Sequence, residues 1–176
     1  MTQETGPARH RLAYRRAGCA VARHIQGTRP EALSLEGQAP AGTPRRGWQV
    51  DLGGGARHRI ELDLLALWVG LLAEARSAGE AGGPPDGWGP ALEPLAEAAR
   101  RVTRTEGENA AYLEWLRQRA LGLLDLPGIW PAIETVAEAL AEKGRLEGRD
   151  VAGLIALAPR PRRGFAGWGT GWGGTR

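Results

Sequence analysis

The sequence has one cysteine, Cys19, and three histidines among its 176 residues. A lone cysteine excludes an intrachain disulfide framework and gives no support for a secreted, disulfide-stapled domain. It also excludes a Cys-x-x-Cys metal or redox motif, which needs two thiols at short spacing. The histidines are scattered at positions 10, 24 and 58. A zinc site built from local cysteine and histidine pairs is therefore not expected.

Long apolar runs are absent too. The most apolar stretch covers residues 64–73, far short of the roughly 20 residues that a membrane-spanning helix needs. Glu61, Asp63 and Glu74 flank it closely, which predicts a buried amphipathic helix. No N-terminal segment has the apolar core of a signal peptide, and no Gly-x-x-x-x-Gly-Lys-Ser/Thr loop is present to bind ATP. We therefore expect a cytoplasmic protein with no membrane span and no ATP site.

The charge balance is basic but weakly so. The formal net charge is only +3, although the isoelectric point is about 9.7. Basic residues cluster towards both ends of the sequence, at Arg9, Arg11, Arg15 and Arg16 and again at Arg160, Arg162 and Arg163. Such clusters can contact phosphates, but solvated chain ends have the same composition. Binding of nucleic acid is therefore left as an alternative.

Helical patterns dominate the predicted elements. A first helix is predicted over residues 9–26, ending at Gly27 because glycine favours the left-handed backbone that closes a helix. Residues 33–35 and 48–52 are strand candidates, and the glycines at 53–55 indicate a turn. Further helices are predicted over residues 60–78, 90–102, 106–124 and 130–143, with a last one ending near residue 157. This order predicts a mainly α-helical α+β domain with a small β element.

Three segments carry a family resemblance. Residues 13–21 read AYRRAGCAV, and residues 72–75 read LAEA at the end of the second predicted helix. Residues 130–140, WPAIETVAEAL, are followed by GRLEGRDV at 144–151. In this order the segments resemble the peptidase domain of FtsH-type zinc proteases, whose first signature reads AYHEAGHAV. The resemblance implies a zincin-like, FtsH peptidase-type domain over residues 9–158, with a flexible lead at 1–8 and a disordered tail at 159–176.

The catalytic positions of that signature have all changed. The family places two zinc-binding histidines one helical turn apart, with a glutamate between them as general base. Here Arg15 and Cys19 stand at the two ligand positions and Arg16 replaces the glutamate. A guanidinium stays protonated and has no lone pair for a metal or a proton. Cys19 alone is not a metal site, and a small buried residue is the simpler interpretation of it.

The resemblance also implies which residues of this chain correspond to those around the metal in the family. The family delivers an aspartate as third ligand from a glycine-rich loop. Asp86 lies one residue early for that role, and a cap of the following helix is the alternative interpretation of it. The resemblance implies that Glu74, on the second helix, faces the degenerate site; a solvated glutamate at the helix end is the alternative. We therefore predict that Arg15 pairs with Asp86, or failing that with Glu74, and that this pair replaces the metal as a link between two elements. Cys19 and Asp86 are the residual metal candidates.

The tail is rich in glycine, arginine and tryptophan. Its aromatic residues Phe165, Trp168 and Trp172 are candidate anchors for a partner, although they could also fill a groove of the same domain or stack on nucleic acid.

These features lead to three hypotheses about function. The first is a catalytically inactive pseudopeptidase that binds a protein partner as an assembly or regulatory module and needs no cofactor. The second is a zinc-dependent metalloendopeptidase with a non-standard metal site. The third is a basic adaptor that binds nucleic acid.

Overall fold

The computed structural model describes residues 6–36, 54–80, 83 and 88–159. Within them the chain forms six α-helices and one two-stranded sheet. In chain order the elements are α1 (Gly6–Ile25), β1 (Leu33–Ser34), α2 (Gly54–Ser77), α3 (Glu93–Ala99), α4 (Glu106–Leu124), α5 (Ile129–Lys143), β2 (Arg145–Leu146) and α6 (Gly148–Leu157). The expected mainly helical α+β architecture is confirmed.

Helix α1 begins at Gly6, three residues earlier than predicted, so residues 6–8 belong to it. Its end agrees with the prediction, because Gly27 takes a left-handed φ of 82° just beyond Ile25. Arg23 occupies the last turn, where a cation is stabilised by the helix dipole. Most of the second half of α1 is buried, and it therefore serves as a core helix.

Helix α2 is the central helix of the domain. Every residue from 64 to 73 is buried, and α2 packs against α1, α3 and α4. The predicted buried helix is confirmed, but this stretch has no polar stripe, because a helix surrounded by partners needs none. The predicted start is wrong: Gly54 and Gly55 are helical. A glycine costs a helix only about 1 kcal/mol, which is too little to fix a boundary by itself.

The sheet joins two distant parts of the chain. Strands β1 and β2 are antiparallel, with Leu33 opposite Leu146 and Ser34 opposite Arg145. Both leucines are buried, so this pair closes one side of the core. Residues 33–34 confirm part of one predicted strand, whereas the candidate at 48–52 lies outside the described residues. Strand β2 has two residues, too few to show an alternating pattern.

The C-terminal half follows the predictions closely, with one correction. The bounds of α4 are as predicted, and the Thr105 side chain caps it by accepting a hydrogen bond from the Glu108 N–H. The single helix expected over 90–102 is instead a 3₁₀ turn (Gly89–Leu92) followed by α3. Pro94 lacks an N–H and fits only in the first turn of a helix, which is why α3 begins just before it.

In the described part of the chain, no helix is both long enough and apolar enough to cross a membrane.

Candidate functional site

The site suggested by the sequence lies where α1 crosses α2. Glycine makes this crossing close: a Cβ added to Gly18 would come within 2.9 Å of the Ala73 Cβ and within 3.0 Å of the Gly70 Cα. Arg15 and Cys19, one helical turn apart on α1, both contact this part of α2. On this face Cys19 is buried against α2, whereas the Arg15 side chain stays 37% exposed.

Arg15 forms an ion pair with Glu74. Its Nη1 lies 3.6 Å from the Glu74 Oε2, slightly longer than a hydrogen bond. Arg11 contacts the other oxygen of Glu74 at 3.7 Å and also pairs with Glu80 at 3.2 Å. The carboxylate of Glu74 is therefore shared by two guanidinium groups from α1. Asp86, the first partner predicted for Arg15, lies outside the described residues.

Cys19 is sealed into the helix crossing. Its side chain is 2% exposed, and its Sγ occupies the space that a Cβ on Gly70 would need. Burial raises the pKa of the thiol to about 11, although Arg23 and Arg15 lower it in part. At neutral pH Cys19 is therefore a protonated thiol. Only the thiolate is a good metal ligand or nucleophile, so Cys19 is poorly suited to either role.

Arg16, at the general-base position, is also buried, with 8% of its surface exposed. It is a cation inside the domain, where the resembled family has a carboxylate that accepts a proton. The described residues contain no group of three or more His, Cys, Asp and Glu side chains arranged to hold a metal ion. His10 and His24 lie near opposite ends of α1, roughly 20 Å apart along its axis.

An aromatic cluster beside the site was not predicted. The ring of Tyr14 lies between those of His10 and Trp130, at centroid distances of 4.8 and 5.7 Å. The Arg76 guanidinium lies 4.3 Å above Trp130, whose Nε1 donates a hydrogen bond of 2.6 Å to the Glu134 carboxylate. The cluster ties α1, α2 and α5 together. Members on different helices are far apart in sequence. Only the pairs His10–Tyr14 and Trp130–Glu134, each four positions apart on one helix, gave a local signal of the cluster.

The N-terminal arginines are occupied by internal contacts. Arg9 donates a hydrogen bond of 3.3 Å to the Ala141 carbonyl of α5. Arg11 and Arg15 pair with carboxylates of the α2 region, and Arg16 is buried. These arginines therefore take part in contacts within the domain, while the side chains of Arg11 and Arg15 stay 40% and 37% exposed. The C-terminal arginines and the tail aromatics Phe165, Trp168 and Trp172 lie outside the described residues.

Comparison of this chain with protein-family models, with curated proteins and with solved structures gave no match.

Proposed function

We propose that this chain is a zincin-like, FtsH peptidase-type domain that has lost its zinc chemistry and serves as a protein-binding, regulatory module. The resemblance of residues 13–21, 72–75 and 130–151 motivates the family. The observation that carries the loss of activity is the Arg15–Glu74 ion pair at the first ligand position. A carboxylate neutralised by two arginines beside a buried thiol offers a divalent cation little attraction.

The ion pair supports the further idea that it replaces the metal. A structural or catalytic zinc stabilises a fold by joining the elements that supply its ligands. Arg15 and Glu74 join α1 to α2 in the same way, with charge instead of coordination. A domain that keeps its architecture but loses its reactive centre still has the surfaces that bound polypeptide. A regulatory pseudoenzyme uses such surfaces to bind a partner.

The proposal predicts that the protein binds an unfolded polypeptide without cleaving it. Fluorescein-labelled, unfolded casein is titrated with the protein, and anisotropy reports binding while gel electrophoresis reports cleavage. We expect saturable binding and intact casein after long incubation with added zinc. Hydrolysis that a chelator stops and that Glu74→Gln or Cys19→Ala abolishes would establish a zinc endopeptidase instead. Intact casein without binding would refute the role in protein recognition.

A further inference from the structure

Three planar side chains stack along the surface of α4. The ring of Tyr112 lies on that of Trp115, with centroids 5.8 Å apart and an angle of 20° between the planes. The Arg119 guanidinium carbon lies 4.7 Å from the Trp115 centroid. The three residues occupy one face of the helix because they are separated by three and four positions. Trp115 is 46% exposed, so this stack is a surface feature and not part of the core.

The stack borders the beginning of α2. Arg119 forms a 2.5 Å hydrogen bond to Glu61, which lies one helical turn after Arg57. Burial is the main cause that raises the pKa of Tyr112, and the charges of Glu61, Arg57 and Arg119 also act on it. The Arg119–Glu61 hydrogen bond joins the stack on α4 to α2, where Arg57 lies on the same face as Glu61. Tyr112, Trp115, Arg119, Glu61 and Arg57 form one continuous surface.

This surface carries excess positive charge. Arg57, His58 and Arg59 are all exposed, and neither arginine forms an ion pair with another described residue. The two carboxylates on this part of α2 are already neutralised, since Glu61 pairs with Arg119 and Asp63 pairs with Arg23 at 3.2 Å. On α4, Glu108 lies one turn before Tyr112 and accepts a hydrogen bond from the Arg104 N–H. The first turn of α2 contains no acidic residue to balance the arginines that follow.

Stacked planar side chains beside exposed arginines indicate a particular kind of ligand. An acidic polypeptide would satisfy the charge, but it offers a ring only where its sequence places an aromatic residue, whereas every nucleotide joins a phosphate to a base. A single strand of nucleic acid supplies both a phosphate backbone and bases, which stack on aromatic rings and on arginine planes. Arg119 already extends the Tyr112–Trp115 stack by one plane, and its side chain is 46% exposed. A base on its outer face would extend the stack by another.

We propose that this surface, formed by Arg57, Arg59, Tyr112, Trp115 and Arg119, binds short single-stranded nucleic acid. Phosphates lie at Arg57 and Arg59, and one base stacks on the Arg119–Trp115–Tyr112 column. Arg57 shares a face of α2 with Glu61, and Arg59 shares a face with Asp63. The two guanidinium groups therefore lie on either side of the exposed surface of this helix. A nucleic-acid strand that crosses the helix meets one cation on each side. The site is independent of the degenerate peptidase centre.

Fluorescence anisotropy with labelled oligouridylate and oligothymidylate of about ten nucleotides tests this site. At low salt we expect saturable binding of the full chain, with an affinity that falls with salt at a log–log slope of about −0.7 per phosphate contacted. Arg57→Glu/Arg59→Glu should weaken binding at least about tenfold and flatten that slope. Trp115→Ala should weaken binding by about five- to tenfold or more and leave the slope unchanged.

The control is Arg101→Glu/Arg104→Glu, which makes the same charge change at exposed positions between α3 and α4. Compared at about 0.1 M salt, where long-range charge is screened over about 10 Å, it should bind within about twofold of the parent chain. Arg57→Gln/Arg59→Gln serves as a milder variant if the reversal impairs folding. Absence of saturable binding, equal loss in the control, or no effect of Trp115→Ala would each overturn the proposal. Equally strong competition by polyglutamate would point to an acidic protein partner and would overturn it as well.

Discussion

Gly18 of α1 and Gly70 of α2 meet at the helix crossing, where a Cβ on Gly18 would lie 3.0 Å from the Gly70 Cα. Neither position has room for a side chain. This contact lets the two backbones approach closely, and it seals Cys19 between them. It also sets the distance across which Arg15 meets Glu74. The geometry around Arg15 and Cys19 therefore depends on two glycines.

The first prediction is that Gly70→Ala destabilises the domain. The added methyl group would overlap the Cys19 Sγ and the Arg15 carbonyl oxygen, so α1 or α2 must shift. Overpacking of this kind costs about 1–3 kcal/mol of unfolding free energy, which urea denaturation followed by circular dichroism will measure.

The matched control is Gly122→Ala on α4, where the new methyl group meets nothing within 4 Å. Glycine is unfavourable inside a helix, so this change should stabilise the protein by about 0.5–1 kcal/mol. Equal effects of the two substitutions would show that the α1–α2 contact is looser than described.

The second prediction concerns the energy of the Arg15–Glu74 pair. Both side chains are partly exposed, at 37% and 24%, so we expect a coupling of only about 0.5–1 kcal/mol. A double-mutant cycle with Arg15→Met and Glu74→Gln isolates this coupling, and added salt should reduce it.

Arg149 and Asp150 provide the comparison, because they lie 3.8 Å apart with 88% and 51% exposure. Their coupling should be close to zero. If the substitutions of Arg15 and Glu74 prove additive, then the ion pair is not a stabilising link between α1 and α2.

The third prediction is that Cys19 is unreactive in the folded protein. Its pKa is raised by burial from the ordinary 9.0 to about 11, so almost no thiolate exists at neutral pH. Iodoacetamide should label it only after unfolding. A raised folded-state pKa also means that the stabilising contribution of the neutral thiol is present below pH 9 and is lost as the pH rises towards 11.

Cys19→Ala gives the reference for this pH dependence. It should lose some stability at neutral pH because it leaves a small cavity, and its stability should fall less than that of the parent between pH 9 and 11. Rapid labelling of the native protein at pH 7 would mean that the thiol is accessible and would count against the sealed site.

Local signals made several elements predictable. The ends of α1 and α5 follow from Gly27 and Gly144, which take left-handed φ values of 82° and 72°. Helix α4 is long and begins at a capping threonine, Thr105. Features of this kind depend on neighbouring residues, so one sequence contains the information needed to place them.

Long-range features were not predictable in the same way. The pairing of Leu33 with Leu146 and the packing of Tyr14 on Trp130 join residues more than 100 positions apart. A glycine inside a helix, such as Gly18, appears in the sequence only as a weak helix former. Glu74 was the second partner predicted for Arg15, after Asp86, and it came from the family resemblance; neither periodicity nor composition would have supplied it.

Metal content tests most directly whether the zinc centre has been lost. The full chain is purified without affinity metals, incubated with zinc, dialysed, and analysed by inductively coupled plasma mass spectrometry. Because Arg15, Arg16 and a protonated Cys19 stand at the motif positions, we expect far less than one zinc per chain. About one tightly held zinc per chain, lost on Cys19→Ala, would contradict the proposal that this domain is a pseudopeptidase.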